Sequence, residues 1–449
     1  MNDHRFYLVL LLLLVAGPVH AQAPSPEQGY ELLLNKAYLP PDFDQETFDE
    51  VWRAWPEPLR SRANQAAPDE RRQMAYRRYG LIARPGDALE RPMQYVVDAQ
   101  GDWTMNCFAC HQGQIDGELI PGVGNSQFAL ATLTEEIRLT KLRLGKPLSR
   151  MDIGSLFIPL GTTRGTTNAV MFGVALMNYR DAQLNRHPDR APPRMTHHDH
   201  DAPPWWNVKY KTRLYSDSFA PKGHRALMQF LLVQENGPKK FRQWEDDYRH
   251  IEAYIESLPA PEYPHPIDEQ LAAAGEQVFT RACAECHGAY GEQVDYPERI
   301  VPLEEIGTDP VRLAALSVEH RRNYAKSWFN RNGARDAVVD PGGYVAPPLC
   351  GVWASAPYFH NGSTPTLWHV LHPDQRPTVW KRTGDGYDFA RVGLNVDSLD
   401  AVPDSAIGTS AQREYFDTRR HGKSAAGHNF PAELRESERR ALLEYLKTL

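Results

Sequence analysis

The spacing of apolar residues predicts a chain built mainly from helices. Phe48, Val51, Trp52 and Trp55 recur at intervals of three and four residues, which is the pattern of one buried helix face. The stretch 94–97 is apolar and partly β-branched, and it predicts a short strand. Further helical patterns cover 132–144, 169–177, 222–234 and 239–257.

The first apolar run is typical of a secretory signal peptide. Residues 6–16 are uninterrupted apolar, follow Arg5 and precede small residues. Such a run is too short to span a bilayer as a mature helix. Cleavage after Ala21 is favoured over cleavage after Ala23, because Pro24 would follow the second cut directly. We therefore expect residues 1–21 to be removed, and a periplasmic or secreted protein with no integral membrane segment.

A proline-rich stretch predicts a boundary between two domains. Residues 259–266 hold four prolines, which no helix tolerates and which make a stiff extended connector. We predict an N-terminal domain over 22–258, a linker over 259–266 and a C-terminal domain over 267–449. In the C-terminal domain we expect Gly275, on the first helix, to let the last helix approach closely near Tyr445.

The net charge of −7, without any long basic run, argues against nucleic acid as a partner. Four of the five cysteines belong to two C-x-x-C-H pentapeptides. In this motif the two thiols bind the haem vinyl groups and the histidine binds the iron. Zinc and thioredoxin-like readings explain neither the spacing nor the histidine, so we predict two covalently bound haem c groups. The motifs are Cys107, Cys110 and His111 (site 1) and Cys283, Cys286 and His287 (site 2).

The surroundings of the two motifs differ. An amphipathic helix precedes Cys283, as in a cytochrome c domain, whereas a strand and a turn precede Cys107. We therefore predict a mainly α fold with two haem-binding units: a C-terminal cytochrome c domain and an atypical N-terminal unit with few short strands. An atypical site is where we expect chemistry beyond electron relay.

Several other side chains are candidates for the haem sites. His428 follows Gly427 and is a candidate second ligand of the site 2 iron. His360 follows two aromatic residues and is either a ligand or a contact of a haem propionate. The histidine- and aspartate-rich stretch 197–201 is either a metal site or a set of polar contacts. Trp205 and Trp206 are either core residues or an electron relay, and Cys350 is expected to be a small buried residue.

The chain resembles the dihaem peroxidase-like superfamily, which includes bacterial cytochrome c peroxidases and rubber oxygenases, and it is most similar to the rubber-oxygenase-like members. The resemblance is carried by both pentapeptides, the stretch 346–367 and the terminal 426–428. It implies an open site 1 bound through His111 and a bis-histidine site 2 bound through His287 and His428. It also implies a tryptophan between the haems, for which Trp205 or Trp206 is the match.

Two functions are therefore expected. The first is an exported oxidoreductase that uses peroxide or O2, with or without an organic substrate, at site 1. It would exchange electrons through site 2 with a periplasmic redox partner. The alternative is a dihaem electron-transfer protein without catalytic activity.

Overall fold

The computed structural model describes residues 23–330 and 336–449. The predicted signal peptide lies outside these residues. Within the described ranges, no helix combines the length and the apolar character that a membrane span requires.

The part before the linker consists of helices joined by long irregular segments. The predicted patterns near 132–144 and 169–177 are confirmed as helices. The α-helices are Pro26–Asn35, Gln45–Glu50, Leu59–Gln65, Pro68–Tyr79, Phe108–His111, Leu130–Leu144, Arg150–Gly154, Ala169–Asn178, His224–Leu227, Pro238–Gln243 and Glu245–Ser257. The 3-10 helices are Val51–Ala54, Trp205–Tyr210 and Met228–Leu231.

The four apolar residues predicted to share a helix face are all buried. They do not share one helix, because the α-helix Gln45–Glu50, which holds Phe48, tightens into the 3-10 helix Val51–Ala54, which holds Val51 and Trp52. Trp55 is extended, as expected for the residue before a proline, so the helix cannot continue through it.

A small antiparallel sheet leads into the first motif. Asp102–Met105 is its central strand, with Phe43–Asp44 on one side and Tyr95–Val97 on the other. The strand predicted at 94–97 is thus confirmed over Tyr95–Val97. Since Asp102–Met105 ends two residues before Cys107, this sheet fixes where site 1 begins.

The part after the linker contains a helix pair and several short elements. The α-helices are Glu269–Ala282, Ala284–His287, Leu303–Ile306, Val311–Ala315, Val318–Lys326, Leu367–Leu371, Thr409–Gln412 and Glu436–Leu446. The 3-10 helices are Trp328–Asn330, Val352–Ala354, Pro373–Gln375 and Phe430–Glu433. Before the linker, two-stranded sheets pair Gly113–Ile115 with Glu118–Ile120 and Arg213–Leu214 with Ala220–Pro221. After it, one pairs Ile300–Pro302 with Gly343–Val345.

The expectation of a mainly α fold is only partly correct, because the chain mixes helices with small sheets. A three-stranded antiparallel sheet follows the order Gly393–Leu399, Val379–Asp388, Tyr415–Asp417. The sequence did not predict it, because the stretch 382–386 contains two glycines and an aspartate, which usually indicate a turn. In Val379–Asp388 the buried residues are Val379, Trp380 and Tyr387, so buried and exposed positions do not alternate along the strand.

The linker lies against the C-terminal part of the chain. Residues 259–266 form no helix or strand, and the carbonyl of Pro261 accepts a hydrogen bond from Trp353 Nε1 at 2.8 Å. The hydroxyl of Tyr263 donates to the carbonyl of Phe389, also at 2.8 Å. One hydrophobic cluster of buried side chains contains residues from both sides of this linker.

The crossing of Glu269–Ala282 and Glu436–Leu446 depends on Gly275. A Cβ at this position would overlap the main chain of Ala441 and the Cβ of Tyr445. The close approach expected from the sequence is therefore confirmed.

We predict that Gly275→Ala lowers the free energy of unfolding by about 3 kcal/mol, because neither backbone can move without separating the helices. Urea denaturation followed by circular dichroism measures this. Gly291→Ala is the matched control, since a Cβ at Gly291 meets no atom within 4 Å. Equal stability of the two variants would contradict the close packing of this helix pair.

Candidate haem sites

Asn106 connects the first motif to the core. Its side-chain nitrogen donates to the carbonyls of Leu33 and Met93, at 2.9 and 2.8 Å. Its side-chain oxygen accepts from the amide of Phe108 at 2.9 Å and so starts the short helix Phe108–His111. Asn106 thus positions Cys107 and His111. No sequence pattern indicated this role.

His111 is oriented by one hydrogen bond and one ring contact. Its Nδ1 lies 3.1 Å from the carbonyl oxygen of Pro203, to which it donates. Its ring stacks on Trp205 with centroids 4.9 Å apart and planes at 21°. Burial lowers the pKa of His111 to about 4, so the imidazole is neutral at pH 7.

His287 has the same kind of surroundings. The helix Glu269–Ala282 ends at Cys283, and one further turn presents His287. Its Nδ1 donates to the carbonyl of Pro347 at 2.9 Å. The hydroxyl of Tyr290 donates to the His287 carbonyl and accepts from the Leu349 amide, each at 2.7 Å. Burial lowers the pKa of His287 as well.

Both carbonyl acceptors belong to an Ala-Pro-Pro segment. The segments are 202–204 for His111 and 346–348 for His287. The repetition is visible in the sequence, but a third Ala-Pro-Pro at 191–193 makes it a weak signal. The two sites therefore share one anchoring contact although a strand precedes one motif and a helix precedes the other.

The donor set fits haem c. A neutral imidazole whose Nδ1 donates to a carbonyl keeps its Nε2 lone pair for a metal. Burial raises the pKa of Cys107 to about 11 and of Cys110 and Cys283 to about 12. Without a bound group these thiols therefore stay protonated at pH 7 and are poor nucleophiles. No disulfide joins the cysteines, all of which lie in the described residues.

His428 lies opposite His287. Their ring centroids are 6.2 Å apart, and two imidazoles joined to one metal by bonds of about 2 Å hold their centroids at about this distance. Burial lowers the pKa of His428 to about 3, and its Nδ1 is buried without a hydrogen-bond partner. His428 has φ of +49°, and the preceding Gly427 has φ of +80°.

Residues 425–428, here called the His428 loop, are held by contacts from two sides. The guanidinium of Arg376 donates to the carbonyls of Ala425 and Gly427 at 2.7 Å and lies over the ring of Phe359. Gly427 lies against the main chain of Gly307 and Thr308, where a Cβ would overlap.

His360 does not lie opposite either proximal histidine. Its ring stacks on Tyr344 with centroids 4.3 Å apart, and its carbonyl accepts from the Asp201 amide at 3.1 Å. His360 thus lies next to the stretch 197–201. Within the described residues, no group of three or more His, Cys, Asp or Glu side chains is arranged to hold a metal ion.

Trp205 and Trp206 lie between the two motifs. Trp205 stacks on His111, and Trp206 donates from Nε1 to the carbonyl of Cys350 at 2.7 Å. Cys350 is buried, as expected, and lies three residues after Pro347, the acceptor for His287. A run of covalent and hydrogen bonds therefore connects the two proximal histidines through this tryptophan pair.

The two sites differ on the side opposite the proximal histidine. His428 faces His287, whereas the ring contact of His111 among the described residues is with Trp205, and no second imidazole faces it. In the described part of the chain, two imidazoles therefore lie at site 2 and one lies at site 1.

Residues 343–381 match the family model described as RoxA-like, cytochrome c-like. This segment of the C-terminal part is therefore similar to RoxA-like, cytochrome c-like proteins. This supports a c-type cytochrome with covalently bound haem c. The matched residues include Pro347, Cys350 and His360, so the match covers the segment that holds His287 in place.

Two curated relatives come from Sinorhizobium fredii (strain NBRC 101917 / NGR234). The uncharacterized protein y4iM is 32% identical over 201 residues, which is 39% of this chain and 45% of the relative. The uncharacterized protein y4iJ is 28% identical over 246 residues, which is 41% of this chain and 39% of the relative. The chain thus spans less than half the length of either relative.

Proposed function

We propose that the protein is an exported dihaem c-type cytochrome that reacts with peroxide or O2 at site 1 and exchanges electrons through site 2. The observation that carries the proposal is the matched anchoring of His111 and His287 on Ala-Pro-Pro carbonyls. It supports haem binding at both motifs although their surroundings differ. Haem c would supply one-electron transfer and the activation of peroxide or O2.

In this proposal each residue has a distinct role. The four motif cysteines form the thioethers, and His111 and His287 are the proximal ligands. His428 is the second ligand at site 2, where it excludes exogenous ligands. Among the described residues no imidazole faces His111, so in this proposal one side of site 1 is open to a small oxidant. Trp205 and Trp206 conduct electrons between the sites.

The alternative is an electron-transfer protein in which both irons have two protein ligands. Because no second imidazole faces His111 among the described residues, the oxidoreductase is favoured over this alternative. A protein whose haems are both low-spin and inert to cyanide and peroxide would establish the alternative.

The first prediction from this proposal concerns cofactor number. The mature protein should exceed its polypeptide mass by two haems, and denaturing gels should stain for haem. Cys107→Ser with Cys110→Ser should remove one haem and leave the site 2 spectrum intact. Cys350→Ser is the control and should retain both, because Cys350 belongs to neither motif. A wild-type mass with fewer than two haems contradicts the proposal.

The second prediction distinguishes the two candidate ligands of site 2. His428→Ala should convert the site 2 haem to a high-spin form, because it removes the imidazole opposite His287. His360→Ala is the matched control and should leave that haem low-spin, since its ring packs on Tyr344. Optical and EPR spectra measure both. The reverse outcome would assign the ligand role to His360.

The third prediction tests the tryptophan pair. Trp206→Phe removes the hydrogen bond to Cys350 and should slow electron transfer between the haems roughly tenfold, or about 1.4 kcal/mol in the barrier. Trp205→Phe should act in the same direction. Trp380→Phe is the matched control, because Trp380 is buried and donates to the Ser363 carbonyl at 3.0 Å. Stopped-flow spectra with peroxide give the rates, and an equal slowing in the control would refute the relay.

A further inference from the structure

A cluster of histidines near Arg312 is not explained by the haem ligands. His198 and His200 are buried, and their Nε2 atoms lie 2.6 Å apart. His360 lies beside them, with its ring on Tyr344. Arg312 is the positive charge that acts on all three imidazoles, and together with burial it lowers their pKa values. The cluster joins the stretch 197–201 to the C-terminal part of the chain.

One N–H group of the Arg312 guanidinium has no hydrogen-bond acceptor. Its side chain is 1% exposed and its Nη2 donates to Asp217 at 3.1 Å, while Nη1 is buried without an acceptor. Arg321 donates to the same carboxylate at 2.7 Å, so one aspartate serves two guanidinium groups. A buried donor without a partner costs about 1–3 kcal/mol, and a charged one costs more.

The other carboxylates near the cluster are bonded to different groups. Asp199 pairs with Lys423 at 2.9 Å. Asp309 accepts from the amides of Val311 and Ser424, at 2.8 and 2.9 Å. Burial raises the pKa of Asp201 well above its usual value, which disfavours its charged form. Within the described residues, the Nη1 of Arg312 therefore has no carboxylate of its own.

The His198–His200 pair lies in a positive environment. His198 Nδ1 donates to the Thr196 carbonyl at 2.7 Å, and the Nε2 contact joins the two rings. Burial and the Arg312 charge lower the pKa of both imidazoles, and an anion beside the pair would offset both effects.

The sign of the local charge decides between a metal and an anion for the stretch 197–201. A cation beside the Arg312 guanidinium would be repelled at short range and low dielectric. No metal-binding group of three is formed among the described residues. The geometry therefore disfavours the metal site that the sequence suggested and favours a negatively charged ligand.

The cluster lies close to the proposed second ligand of site 2. The Phe359 ring contacts His428 with centroids 6.0 Å apart, and His360 follows directly. The main chain of Thr308 lies against Gly427, and its buried Oγ1 has no hydrogen-bond partner. Two unpartnered donors, Thr308 Oγ1 and Arg312 Nη1, thus occur within one short segment beside the His428 loop.

We propose that Arg312, together with the three histidines 198, 200 and 360, forms a buried carboxylate-binding site that holds a haem propionate. The inference rests on the proposed function, because it needs covalently bound haem. The contacts between these residues and His428 favour a propionate of the site 2 haem, and a propionate of the site 1 haem has the same chemistry. The guanidinium would stabilise the carboxylate, and its positive charge would offset the negative charge near the iron and so favour the reduced iron.

The test compares Arg312→Gln with Arg321→Gln, since each variant removes one of the two arginines that bind Asp217. Spectroelectrochemical titration gives the midpoint potential of each haem, and mass spectrometry gives the haem content. We expect Arg312→Gln to lower the potential of one haem while content and axial ligation stay unchanged. The haem that shifts identifies the source of the propionate. Arg321→Gln should leave both potentials close to those of the wild type.

Arg312→Lys keeps the test decisive if Arg312→Gln does not fold. Lysine retains the charge but not the planar fork, so the propionate bending band in the resonance Raman spectrum should shift relative to the wild type. Unchanged potentials in a folded Arg312→Gln, or an unchanged band in Arg312→Lys, would overturn the inference and leave the proposed function intact. A wild-type protein without covalent haem would instead overturn the proposed function.

Discussion

The arrangement of both candidate sites depends on one interaction, the hydrogen bond from a histidine Nδ1 to a proline carbonyl. It fixes the tautomer and the ring orientation, and it leaves Nε2 as the atom available to a metal. A carbonyl that follows alanine and precedes proline lies in a restricted, extended backbone, so the acceptor itself is held in place. The same solution occurs after a strand in one half and after a helix in the other.

The junction between the halves follows from the same two segments. The residues just after the first Ala-Pro-Pro are Trp205 and Trp206, and the residues after the second are Leu349 and Cys350. The Trp206 hydrogen bond to Cys350 therefore joins the two anchoring segments directly. Because each segment also holds a proximal histidine, the packing of the halves and the orientation of the ligands cannot vary independently.

The sequence allowed the covalent chemistry to be predicted, because C-x-x-C-H specifies its ligands within five residues. The helix pair around Gly275 was also predictable, since its apolar residues recur at helical spacing. Contacts between distant segments were not: Asn106, Arg376 and Arg312 act through carbonyls or charges that only the fold brings near. The sheet containing Val379–Asp388 was missed because its strand carries turn-forming residues and is only partly buried.

The packing of the linker also limits how far the two motifs can move relative to each other. Hydrogen bonds at Pro261 and Tyr263 fix the connector to the C-terminal part, so it does not act as a hinge. The separation between the two motifs is then a constant of the fold. Electron exchange between them would respond to driving force and to ligand changes, and cleavage of the connector would leave the two halves associated through their shared core.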